Sequence, residues 1–227
     1  IDDVLIADTF IANIDEARNH YDVRAEYSRL LGMALAKEFD TRTMRVGVLA
    51  ARSAATISGQ NGGSALTDAD AATNGASLAA SIFEAAKVLD EKDVPESERV
   101  ALVAPAQYYN LVQTTDVINR DFGGAGVYAD GTVLRVAGIQ IVKTNNLPSS
   151  NVAAATGENN TYSGDFSNTV ALVMQKQAVG TVKLMDLAVE RTSGDFEVMY
   201  QGTLMAAKYA MGHGVLRPEC AVEIKSA

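Results

Sequence analysis

Tryptophan is absent from these 227 residues, cysteine occurs once, histidine twice and proline four times. A lone Cys220 excludes an intrachain disulfide and any cysteine-based metal cluster, which fits a reducing compartment. Basic residues are outnumbered by acidic ones, 19 to 28, leaving a formal net charge of −9. That balance disfavours nonspecific attraction to a phosphate backbone or an anionic membrane. No run of about 18 apolar residues is available to span a bilayer, and no basic start leads into a short apolar segment as a signal peptide would. Methionine is missing from the first position, where the chain reads Ile1-Asp2-Asp3, so we expect a longer translation product with a substantial segment upstream of Ile1.

What is present is enough apolar material, 48% of residues, for one large or two small cores. The first 94 residues hold no proline, and Tyr21 to Arg52 reads as one long helix. Asp22 suits its N-cap and Glu26 its first turn. Val23, Tyr27, Leu30, Leu31, Ala34 and Leu35 form an apolar stripe at helical spacing. Such a helix is about 40 to 45 Å long, with Gly32 or the stretch Asp40 to Thr43 as the place for a kink or a break. Ahead of it, Val4 to Ile14 is ambiguous between strand and helix.

After the helix, Ser53 to Asn74 is rich in Ser, Gly and Asn and reads as a surface loop or hinge. Leu78, Ile82, Ala85, Ala86 and Leu89 mark a second amphipathic helix. Val100 to Ala104 reads as a buried strand, and Pro105 heads a further helix. Val133 to Thr144 gives two strand pieces around Gly138, Ser149 to Ser167 a loop, and Val170 to Met174 a strand. From Val179 onward the pattern lengthens into long antiparallel strands, although Met199 to Met211 also fits a helix. An α/β middle flanked by segments of a second domain follows from this order.

Candidate chemistry is sparse. Gly124-Ala125-Gly126-Val127-Tyr128-Ala129 matches a dinucleotide fingerprint only formally, because Asp130-Gly131 turns the chain where a helix would have to start. His20 and His213 lack partners at metal-ligand spacing, Cys220 lacks an identifiable base, and Asp68 with Asp70 lacks the remaining ligands of a calcium loop. Capping by Thr67 or Asp68 explains that pair better. Met205, Tyr209 and Met211 suit core filling. No catalytic residue, cofactor site or metal site is assigned.

Three ordered blocks carry a resemblance. They are Asn19 to Tyr27, Ala178 to Arg191, and Lys208-Tyr209-Ala210-Met211-Gly212-His213-Gly214-Val215-Leu216-Arg217-Pro218-Glu219. In these the chain resembles the major capsid proteins of short-tailed, autographivirus-type (T7-like) phages, over nearly its whole length. The resemblance implies an α+β, HK97-like capsid fold. Its peripheral (P) domain would comprise residues 1–65, with a spine helix at about 21–52, together with residues 176–227, and its axial (A) domain residues 66–175. It further implies a shell subunit that is no enzyme and assembles with itself as hexamers and pentamers around DNA enclosed without specific binding. Scaffolding protein and portal are the expected partners, no membrane is involved, and the virion head, assembled in the host cytoplasm, is the location. Gly123, Gly124 and Gly126, in a loop near the capsomer axis, and Arg217, stiffened by Pro218, are the expected subunit contacts. A cellular encapsulin-type compartment is the nearest alternative, and a soluble α/β enzyme a more distant one.

Overall fold

The computed structural model describes residues 4–18, 23–114, 135–157 and 160–227. Asp22, His20 and the glycine loop at 121–131 lie outside them. The chain divides into two compact units, residues 1–40 with 181–213 and residues 41–180 with 214–227.

The first unit lays a helix over a small sheet. Strand β1 (Leu5–Ala12) leads through the short α1 (Asn13–Arg18) toward α2 (Val23–Ala51), whose residues 23–40 belong here. With β9 (Val179–Arg191) and β10 (Gly202–Val215), β1 forms a three-stranded sheet in the order β1-β10-β9. Strand β1 runs antiparallel to β10, with Ala7 opposite Ala207 and Ile11 opposite Thr203. Alternation then sends Ala7, Ile11, Met205, Ala207 and Tyr209 to one face, where they pack with Leu31, Leu35 and Phe39 of α2. Met199 to Met211, readable either way from its periodicity, is mostly strand because β1 offers it a ladder. A short helix, α5 (Asp195–Tyr200), caps the β9–β10 hairpin where strand was expected around Phe196 and Val198.

The second unit is a three-layer sandwich. Its six-stranded sheet has the order β2-β11-β8-β3-β5-β4, built from β2 (Ser64–Thr67), β3 (Arg99–Val103), β4 (Arg135–Val136), β5 (Ile139–Lys143), β8 (Thr169–Gln175) and β11 (Ala221–Lys225). The pairs β2–β11 and β3–β5 are parallel, and β8 runs antiparallel to both of its neighbours. Helices α3 (Gly75–Glu91) and α4 (Pro105–Val112) pack on the face carrying Ala101, Val103, Ala171, Val173, Val222 and Ile224. The other face presents Leu102 and Leu172 to Met44 and Val48 of α2. Gly47 marks the crossing, since a Cβ there would stand 2.8 Å from a Leu172 methyl carbon.

Four local expectations need correcting. The polar stretch from Ser53 to Asn74 contains β2, tied into the sheet by β11, and the loop from Ser149 to Ser167 contains the small ladder β6 (Asn151–Val152) with β7 (Gly164–Asp165). Helix α2 runs unbroken through Gly32 and through Asp40 to Thr43. Its supposed single stripe also divides: Leu31 and Leu35 are buried, while Tyr27, Leu30 and Ala34 are exposed.

Candidate self-association surfaces

Among the described residues no group of three or more His, Cys, Asp or Glu side chains could hold a metal ion. The residues first suspected of chemistry have structural neighbours instead. His213 is buried, its Nδ1 lies 3.0 Å from the Thr181 hydroxyl, and its ring stands edge-on to Phe39 at 4.7 Å. Cys220 is buried, and burial pushes its thiol pKa up, away from the reactive thiolate. Asp68 does not cap α3, because Asn74 does so by accepting from the Ala76 N–H at 2.9 Å. Asp68 instead accepts the hydroxyls of Ser77 at 2.6 Å and Ser81 at 2.7 Å, which hold its carboxyl below the usual range. Met205 and Tyr209 are core residues, as expected, with Met211 packed against them.

Of the expected subunit contacts, Gly123, Gly124 and Gly126 fall outside the described residues. Arg217 is described, half-exposed beside the 3-10 turn at Pro218–Cys220. Its Nε donates to Glu219 at 2.7 Å and one terminal nitrogen donates to Gln177 at 2.6 Å. The Glu219 bond holds the guanidinium pKa above its already high value. The arginine fork is thus engaged within the chain, on the same unit that carries β11.

Apolar exposure concentrates in the first unit. Strand β9 is the edge of its sheet, and Val182, Leu184, Met185, Leu187 and Val189 are all exposed along it. Consecutive strand residues point to opposite faces, so Leu184 and Met185 together mean that neither face of β9 is covered. Ile6 and Phe10, opposite in direction to the buried Ile11, add exposed apolar groups on β1. At the hairpin cap Val198 and Met199 are 70% and 74% exposed. Patches this extensive on a folded unit mark association surfaces. The sequence reading takes this stretch as long antiparallel strands and assigns no contact to it. The signal was there in adjacent apolar residues at both parities, 184 with 185.

A long helix, a long-stranded small sheet and a second, sandwich unit make up the α+β architecture of HK97-like capsid proteins. A family model described as Gp10A-like, major capsid protein, matches residues 1–225, and the chain belongs to that family. It is 31% identical to the major capsid protein of Escherichia phage T7, over 97% of this chain and 70% of that protein. The capsid structure of cyanophage P-SCSP1u superposes with a TM-score of 0.93 at 48% identity, covering all of this chain and 72% of that one. The mature capsid of bacteriophage PhiM1 shares the fold with a TM-score of 0.80 at 20% identity, covering all of this chain and 71% of that one. The chain is a major capsid protein of a phage head, and the encapsulin alternative is not favoured.

Proposed function

We propose that this subunit associates with itself as hexamers and pentamers to close an icosahedral head around double-stranded DNA, performing no catalysis of its own. The observation that carries the reading is the family match across residues 1–225 on a fold whose uncovered surfaces are apolar. In this reading the peripheral domain comprises residues 1–65 with 176–227 and the axial domain residues 66–175, bounds that differ from those of the two compact units, residues 1–40 with 181–213 and residues 41–180 with 214–227. Gly123, Gly124 and Gly126, which lie outside the described residues, remain expected subunit contacts in this reading. Arg217, with its partner Glu219, borders a neighbouring subunit. Scaffolding protein and portal take part during assembly in the host cytoplasm. The net charge of −9 lets the shell enclose DNA without gripping it.

Electron microscopy of the purified assembly tests this. Closed shells filled with DNA are expected. Shells loaded with protein cargo would support a cellular compartment, and a failure to find shells would remove both readings.

A further inference from the structure

Glu223 and Lys225 stand two apart on β11, so they share the face of the larger sheet opposite Val222 and Ile224, which lie in the core with α3 and α4. Ala65 of β2 pairs with Glu223 and extends that face toward the sheet edge. Helix α2 covers Leu102 and Leu172 on the same face but ends at Ala51. Past its end, Arg52 and the turn at 165–168 wall a cavity of about 310 Å³ whose floor is Ala65, Glu223 and Lys225. All of these residues belong to the second unit. The volume suits a small molecule rather than a macromolecular partner.

The polar groups around this cavity divide into engaged and free. Glu223 is fully buried and takes Arg52 and the Thr169 hydroxyl on its carboxylate oxygens. One Asp165 oxygen accepts the Ser167 N–H at 3.0 Å and the Ser167 hydroxyl at 2.7 Å, while the other has no hydrogen-bond partner among the described residues. The half-buried Lys225 ammonium and the Asn168 side-chain amide have none among them either. Ammonium and amide offer N–H donors, and the free carboxylate oxygen offers an acceptor. Two cations and two carboxylates line the cavity, so no excess positive charge favours a bare anion such as phosphate.

We propose that this cavity binds a small molecule carrying a carboxylate beside an N–H or O–H donor, the chemistry of a free amino acid. Its carboxylate meets Lys225 and Asn168, and its donor meets the free oxygen of Asp165. Bound there, it joins the sheet floor to the turn after β7, adding to the links that Arg52 makes with Glu223 and with the Asp165 carbonyl.

Equilibrium dialysis of radiolabelled L-serine against released subunits of the full-length protein tests the site. One serine per subunit is expected, displaced only weakly by propionate, which lacks the donor, or by propylamine, which lacks the carboxylate. Lys225→Met removes a charge that has no partner among the described residues, so circular dichroism should match the parent while serine affinity falls more than about tenfold. Asp165→Asn keeps an oxygen for Ser167 and removes the charge, so it should weaken serine and strengthen propionate. Three results would each overturn the proposal: no bound serine, an unchanged affinity in Lys225→Met, or tighter binding of inorganic phosphate than of serine.

Discussion

Glu223 is fully buried, and named partners surround its carboxyl group. Arg52, just past the end of α2, donates to both carboxylate oxygens at 2.6 Å, and the Thr169 hydroxyl donates at 2.7 Å. The guanidinium also reaches the Asp165 carbonyl at 2.5 Å and lies 5.5 Å from the Phe166 ring centre. Arg52 is itself partly exposed, but removing it strands a fully buried carboxyl group, so Arg52→Met should cost about 3 kcal/mol, the low end for breaking a buried pair. Replacing both, Arg52→Met with Glu223→Leu, should recover most of that loss, because the pair's own attraction is largely offset by its desolvation. Urea denaturation of released subunits would decide, and a double variant no better than the single would refute the account. Asp68 gives a pH-dependent counterpart. Its folded pKa is depressed by Ser77 and Ser81, so its contribution is complete above the ordinary carboxylate value of about 4 and is lost as pH falls through the depressed one. Asp68→Asn should therefore be less stable than the parent at pH 7, with the gap closing on acidification below about pH 4. A gap that stays constant with pH would show that the charge is not what matters.

At the scale of elements, helix α3 was legible because one face meets one core. Leu78, Ile82, Ala85, Ala86 and Leu89, picked from spacing, are all buried. Pro105 starts α4, and Gly138, at φ +74°, makes the turn between β4 and β5 that the sequence reading placed there. Strand β2 was not legible, since four half-exposed residues gain their state from β11, far along the chain. The single stripe on α2 failed for the opposite reason: Tyr27, Leu30 and Met33 are apolar and yet face outward, which smears the 3.6-residue period. Arg217 could be recognised as an ion-pairing residue from its type, but Glu219 and Gln177 as its partners required the turn at Pro218. The junction of α3 with α4 offers a test in which two rules conflict. Gly75→Ala would gain up to about 1 kcal/mol by helix propensity alone. However, its Cβ would stand 2.2 Å from the Asn110 carbonyl oxygen, a backbone atom that cannot rotate away. Overpacking of this kind costs about 1–3 kcal/mol, so the expected sign is destabilising. A raised urea midpoint for this variant would mean that α3 and α4 separate without penalty.

For the whole molecule the decisive balance lies between like charge and uncovered apolar surface. These 227 residues carry −9 in each copy, which makes this part of the copies repel at a distance. Among the charged groups on β9 and beside the Pro218 turn, Lys183 pairs with Asp186, Glu190 with Lys208 and Arg217 with Glu219 within the chain. Apolar side chains such as Leu184 and Val198 remain in water until a neighbour covers them. If copies are joined mainly by this apolar burial, salt should help assembly. Raising ionic strength shortens the screening length from about 30 Å at 0.01 M to about 3 Å at 1 M, which removes repulsion and leaves apolar contact intact. If ion pairs between copies held the shell, the same change would weaken it. The critical concentration for particle formation, read by light scattering or sedimentation, should therefore fall as sodium chloride is raised from about 0.05 to 0.5 M. It should also fall on modest warming from the cold, because apolar burial strengthens in that range. A critical concentration that rises with salt would place the binding energy in charge pairs across the contact, and the uncovered strand of the first unit would then need another explanation.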